Sequence, residues 1–210
     1  SLLIAVILSM KIKFLSFFRT TYYLPSILGG SVGIAILWRS LFNREGLVNS
    51  LLSIFHIGPF DFLGSPKLAL FTVSLLAVWQ FGSSMVIFLS ALQQVPKSLT
   101  EAARIDGARK YQVFFKITIP MISPMIMFNL IMQSIMAFQQ FNSPYLITQG
   151  GPLKSTYLYG LMMYQNAFTY QKMGYACAQS WILLIVIVAM TALVFKSSPY
   201  WTYYEDGGNF

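Results

Sequence analysis

Few groups in this sequence could do chemistry, and their spacing narrows what they could do. There is one histidine, His56, and one cysteine, Cys177, in 210 residues. Neither a disulfide within the chain, nor a histidine- or cysteine-based metal site, nor a nucleophile–base pair has its parts. The acids are Glu45, Asp61, Glu101, Asp106, Glu205 and Asp206. Gly150-Gly151-Pro152-Leu153-Lys154-Ser155 superficially resembles a phosphate loop. Such a loop needs glycine immediately before the lysine so that backbone N–H groups can wrap the phosphates; here Leu153 stands in that place and Pro152 has no N–H. What remains is a set of amides, hydroxyls and rings: Trp79, Gln80, Ser83 and Ser84 in one apolar run, and Asn129, Gln133, Gln139, Gln140 and Asn142 in another. At 100° per residue, Asn129, Gln133 and Gln140 share one narrow helical stripe, as do Gln80 and Ser84. Lining a cavity, such groups could hydrogen-bond and stack a polyhydroxylated solute. Between helices, the same groups are hydrogen-bonding glue worth roughly 0.6 kcal/mol per bond.

The elements that carry these residues are expected to be membrane helices. Apolar residues make up 56% of the chain and charged residues only 10%, with a mean hydropathy of +0.64. A water-facing surface needs about a quarter of the chain charged, so most of this protein cannot face water. The net charge of +8 does not point to nucleic acid, because the basic residues are few and separated by long uncharged runs. A helix crosses the hydrocarbon layer in about 20 residues. The uncharged runs predict spans near residues 24–42, 68–93, 120–141 and 174–196, with residues 1–10 as the tail of a further helix. No basic stretch or cleavage-type site precedes the apolar start, so no signal peptide is expected, and further sequence upstream is.

Basic residues set the expected orientation. With the 11–23 loop inside, the inner set is Lys11, Lys13, Arg19, Lys97, Arg104, Arg109, Lys110, Lys116 and Lys196; the outer set is Arg39, Arg44, Lys67, Lys154 and Lys172. The excess of inner Lys and Arg favours this arrangement over its inverse. Tyr200, Trp201, Tyr203 and Tyr204 after Lys196 read as a headgroup-level belt. The aromatic run over residues 157–170 reads as a short interfacial helix outside, lying in the headgroups or meeting an external partner. All six carboxylates fall in loops on this map, so no embedded acid is available to relay protons. Sodium coupling through backbone carbonyls stays open, but energy for transport is expected from a partner.

The most informative stretch runs from Pro96 to Pro124. Pro96 should end the preceding span. Ser98 and Glu101 have the spacing of a capping box that would start a short helix. Ala102 and Ala103 would let another surface approach its backbone. Asp106-Gly107 is the turn, with Gly107 free to take the left-handed conformation that closes a helix. A second short helix is predicted from about Ala108, with Tyr111, Phe114 and Phe115 on its apolar side, before Pro120 and Pro124 lead into the next span. The result is a cytoplasmic helix–turn–helix tied at both ends to spans, or simply a basic inner loop that happens to be helical.

The residues of this stretch resemble the coupling motif of ABC importer permeases: Glu101, Ala102, Ala103, Asp106, Gly107 and Ala108, followed by Phe114, Ile117 and Pro120. Tyr23-Leu24-Pro25, Trp38-Arg39 with Leu41-Phe42, Thr148-Gln149-Gly150-Gly151-Pro152 and Met173-Gly174-Tyr175-Ala176 extend the likeness, over essentially the whole chain, to sugar-importer permeases of the maltose type. Such permeases carry a further N-terminal span that this sequence lacks. The resemblance implies an all-α polytopic transmembrane bundle of the type I importer kind, with residues 1–210 one permease domain and residues 97–119 its coupling loop. It further implies a dimer of separate ATPase subunits gripping that loop, a second permease subunit, identical or homologous, an extracytoplasmic solute-binding protein, and a sugar substrate. ATP and magnesium would bind the ATPase, with no cofactor and no catalysis in this chain, in a multi-pass protein of the cell membrane. It also draws the polar residues near 139–142 towards the substrate path. The rival reading is an ion-coupled secondary carrier for a small polar solute.

Overall fold

The computed structural model describes residues 1–10 and 15–203. Lys11 and Lys13 of the expected inner set, and Tyr204, Glu205 and Asp206, lie outside the described residues. Every regular element among the described residues is helical. The predicted span at 174–196 is one continuous helix, α12 (Met173–Ser197), within a stretch, Met173–Tyr200, long and apolar enough to cross a membrane and only 6% buried. Leu184, Ile185, Val188 and Leu193 are all exposed on it, as suits a helix bathed in lipid tails as apolar as its own side chains.

The other three predicted spans are each broken. Residues 24–42 were expected to form one helix. Instead, α2 (Leu15–Leu28) ends before Gly29, and α3 (Val32–Leu41) starts afresh with the Ser31 hydroxyl accepting the Ile34 N–H at 3.3 Å. Two successive glycines and a capping serine favour that interruption over a continuous helix. Residues 68–93 divide into α5 (Pro66–Trp79) and α6 (Gly82–Gln94). Before α10 (Ser123–Phe138), the stretch Lys110–Met121 meets it at 65°. Prolines 120 and 124 bracket this bend. Pro124 has no N–H to give the carbonyl of Pro120 four residues earlier, and the Ser123 hydroxyl donates to that carbonyl instead, at 2.6 Å. If each broken pair is one span, the described residues hold up to four.

The chain falls into two compact units: residues 1–23, 82–135 and 186–210 form one, and residues 24–81 and 136–185 the other. In the first, α1 (Leu2–Ser9) lies along α6 and buries Ala5 and Leu8 while Met85, Phe88 and Leu89 of α6 are buried too. In the second, Ala35, Val73, Leu76 and Ile147 form a core flanked by Trp38 and Trp79. Trp38 Nε1 donates to the Thr72 carbonyl at 3.0 Å, and its ring continues into Phe42, 5.0 Å away. The half-buried indole of Trp38 and the buried Phe42 ring add an aromatic contact to ordinary dispersion there.

The loop after α3 is fixed by one side chain. Asn49, on α4 (Leu47–Ile54) and 4% exposed, donates to the carbonyls of Asn43, Arg44 and Phe60 and accepts the Phe60 N–H at 2.9 Å. Meanwhile Leu47, Leu51 and Ile54 are exposed, so this helix buries its amide and exposes two of its three leucines, the reverse of a helix on a water-soluble protein. Asn49→Leu would orphan those backbone groups, at about 1–3 kcal/mol for each one left buried. The expected outcome is a thermal unfolding midpoint lowered by several degrees, followed by circular dichroism in detergent; an unchanged midpoint would show that the loop does not depend on Asn49.

Candidate functional site

Two groups of residues matter: the hairpin after Pro96 and the scattered amides. The first hairpin helix, α7 (Lys97–Ile105), starts on Pro96, and no side chain caps it. The expected Ser98–Glu101 capping box therefore does not form. The helix starts two residues earlier than that box requires, which puts Ser98 inside the first turn, and Thr100 Oγ1 donates to the Lys97 carbonyl instead. The turn is as expected. Gly107 has φ +83°, its N–H donates to the Arg104 carbonyl at 3.1 Å, and the Ala108 N–H reaches back to Ala103 at 2.9 Å. These two bonds are a Schellman motif, which satisfies the last carbonyls of the helix and needs a left-handed residue at Gly107. A Cβ on Gly107 would meet no atom within 4 Å, so the dihedral angle, not crowding, asks for glycine.

The second helix starts at Lys110 rather than Ala108. Its opening is held by the Arg109 N–H donating to Gln112 Oε1 at 2.7 Å. It covers only Lys110–Val113 (α8) before a π turn (Phe114–Thr118) and a short α9 (Ile119–Met121). The expected apolar side does not face inward as a set: Val113 is the buried residue, Phe114 is half-buried, and Tyr111 and Phe115 are exposed. The π turn explains this, because an extra residue per turn rotates the later rings off the face set by the first helix. Glu101, Ala102, Asp106 and Gly107 are all exposed, Ala103, Ala108 and Pro120 half-buried, and α7 buries nothing. At its end Ile105 stands 86% exposed. The hairpin thus presents an acid, small residues and an isoleucine on a rigid turn, with a surface open to another chain.

The amides do not form one site. The helix of Asn129 and Gln133 ends at Phe138, so Gln140 does not continue their stripe. Asn129 is buried and donates to the Met125 carbonyl of its own helix at 3.2 Å. Gln133 donates to Ser84 Oγ at 2.6 Å, and Ser83 is exposed. Of these contacts only the Gln133–Ser84 bond joins two helices, as interhelical glue would. Within the other unit, Gln80, Gln140 and Asn142 come together with Gly29, Gly30 and Ser31 around a cavity of about 60 Å³. Gln80 Nε2 donates to the Gly29 carbonyl at 3.0 Å, capping the end of the broken helix, and a Cβ on Gly29 would overlap the Gln80 side chain. A cavity of that size has room for a few waters and not for a sugar ring. Gln139 lies instead in an apolar groove of about 370 Å³ with Phe141, Tyr164 and Phe168, and Trp79 packs on Trp38 with ring centres 5.9 Å apart.

The loop resembling a phosphate loop is a threonine-pinned turn. The Thr148 and Thr156 hydroxyls lie 2.6 Å apart, and Thr156 Oγ1 donates to the Gly151 carbonyl. No helix opens on Lys154; the next, α11, is Tyr159–Tyr164. The run over 157–170 is not a free-lying helix. Tyr159 Oη donates to the Gln179 carbonyl, Tyr157 Oη to Gln165, and Tyr164 packs on Phe141 and Tyr145. Two features escaped the sequence reading: the buried Asn49, for which no local pattern exists, and Ser123, whose place directly before Pro124 was the available signal.

The comparisons agree with this architecture. Residues 2–198 match the family model described as "Binding-protein-dependent transport system inner membrane component". The chain is 49% identical over 211 residues to the probable ABC transporter permease protein YesP of Bacillus subtilis, covering 98% of this chain and 68% of that one. It is 33% identical over 203 residues to the lactose transport system permease protein LacF of Rhizobium radiobacter, covering 94% and 68%. A chain in the crystal structure of a bacterial ABC transporter involved in the import of the acidic polysaccharide alginate superposes with a TM-score of 0.86 at 22% identity, covering 96% of this chain and 72% of that one, and so shares its fold. All-α, broken-helixed and apolar throughout, this chain belongs to the family of binding-protein-dependent transport system inner membrane components: it is a permease subunit of an ABC importer, a membrane transport component and not an enzyme.

Proposed function

We propose that this permease carries a sugar or oligosaccharide across the cell membrane, with residues 97–119 as the contact through which a separate ATPase drives it. The observation that supports this is the hairpin itself. Glu101, Ala102, Asp106 and Gly107 are exposed together on a turn closed by two backbone hydrogen bonds, and α7 keeps no buried side chain of its own. A stiff, solvent-open lever joined to spans at both ends converts rigid-body closure of an ATPase dimer into movement of the helices. Residues 1–210 act as one multi-pass permease domain beside a second permease subunit, with this hairpin on the cytoplasmic side. ATP and magnesium bind the ATPase, and a solute-binding protein delivers the sugar outside. The sugar class rests on relatives such as LacF and the arabinooligosaccharides transport system permease protein AraP of Bacillus subtilis. Gln80, Gln140 and Asn142, with Gln139 nearby in sequence, are the polar groups we assign to the path, and Ser83 is exposed; Trp79, Asn129 and Gln133 take the packing role that their contacts support.

Two experiments test this. Uptake of radiolabelled oligosaccharides by cells expressing the importer is expected to collapse on ATP depletion and to survive an uncoupler at constant ATP; the opposite pattern would make the chain an ion-coupled carrier. Gly107→Val forces a β-branched residue to φ +83°, a strain of about 1–3 kcal/mol. Uptake should fall at least tenfold while the partner ATPase still hydrolyses ATP, and wild-type uptake in that variant would remove the hairpin from the drive.

A further inference from the structure

Behind the hairpin lies a contact that its motif does not explain. Ser123, 3% exposed, sits where the stretch Lys110–Met121 meets α10 at 65°. Its hydroxyl makes two bonds at once. It donates to the Pro120 carbonyl at 2.6 Å and accepts the backbone N–H of Tyr203 at 2.8 Å. Tyr203 stands eighty residues later in the chain, on a short strap beyond α12. That strap is itself ordered: the Thr202 N–H donates to the Ser198 carbonyl at 2.8 Å, Trp201 Nε1 donates to Ser197 Oγ at 3.2 Å, and Thr202 Oγ1 reaches Met127 Sδ on α10 at 3.9 Å. Tyr203 lines two cavities of about 260 and 310 Å³. The larger one also takes in Leu99 of α7 and Lys116 and Pro120 of the hairpin's return limb.

We propose that residues 198–203 are a latch that sets the angle between the hairpin and α10, with Ser123 as the positioning residue at the hinge. A bend flanked by two prolines and open cavities has space to flex. The helical bonds of its two limbs meet at Ile122, whose N–H reaches the Thr118 carbonyl at 3.1 Å and whose carbonyl accepts the Ile126 N–H at 3.0 Å, and Pro124 has no N–H to carry them across it. The Ser123 hydroxyl is a buried side-chain group that bridges it. By holding Tyr203 it ties the hinge to the end of α12, so a displacement of the hairpin is passed on to two helices instead of being lost at the bend. The significance for transport rests on the hairpin being the drive contact proposed above; the latch itself does not.

The test is a distance measurement in the assembled importer in lipid nanodiscs. Spin labels are placed at Ile105→Cys and Leu130→Cys, both exposed, in a Cys177→Ser background, and read by pulsed electron paramagnetic resonance without nucleotide. The latched protein should give one narrow distance population. Tyr203→Ala, which loses the ring but keeps the N–H, should stay narrow. Ser123→Ala, which removes both bonds, and Tyr203→Pro, which removes the N–H together with the same ring, should each enlarge the alternative populations about fivefold, the factor that one lost buried hydrogen bond gives a two-state equilibrium. The double variant should be no broader than Ser123→Ala alone, because both act through one contact. A wild-type distribution in Tyr203→Pro, or broadening that adds in the double variant, would overturn the latch. These readings need no ATPase activity, so they stand or fall apart from the Gly107 uptake experiment, which tests the drive.

Discussion

Inside a bilayer no water is available to a backbone group released from a helix, and each one left alone costs several kcal/mol. This chain breaks its helices repeatedly, so everything in it depends on side chains that take over those released groups. Gln80 holds the carbonyl of Gly29 where α2 stops. Ser123 holds the carbonyl of Pro120, which Pro124 cannot reach. Asn49 alone serves three carbonyls and an N–H of the loop between α3 and α5. Each of these side chains is polar and sits within or beside an apolar run, and each has a backbone partner that accounts for it. The breaks are therefore stable features of the fold, and they give a bundle of otherwise simple helices its bends.

The hairpin follows a different rule, because its first helix buries no side chain. Its order comes from chain geometry: a left-handed glycine, two carbonyl-satisfying bonds across the turn, and an amide side chain that opens the second limb. The exposed side chains of Glu101, Ala102 and Asp106 make none of these bonds, which leaves them open to another protein. That division, backbone for rigidity and side chains for recognition, suits the drive contact proposed above.

Much of this was legible in the residues. The apolar runs gave the helical class and the one unbroken span, α12, because hydropathy over twenty residues is a sum that single residues barely disturb. Asp106-Gly107 gave the turn, since few residues accept that dihedral angle. The breaks were not legible as breaks. A run such as 24–42 scores as one span whether or not Gly29, Gly30 and Ser31 interrupt it, and what stabilises the interruption is Gln80, fifty-one residues away. For the same reason the stripe through Asn129, Gln133 and Gln140 failed: it assumed a helix that stops at Phe138. The Ser98–Glu101 spacing failed on two residues of register, the least secure quantity in any helix boundary.

Ile105 stands almost fully clear of the chain at the end of α7, beside a turn that cannot fold back to cover it. An aliphatic side chain held in that way is costly in water and has nowhere else to go. If a partner subunit normally sheathes it, then a copy that has not found its partner differs from an assembled one by a bare greasy tip on the aqueous side. Quality-control proteases and chaperones choose their clients by that kind of signal. The amount of this polypeptide in a cell would then follow the supply of its companions, and surplus copies would be cleared.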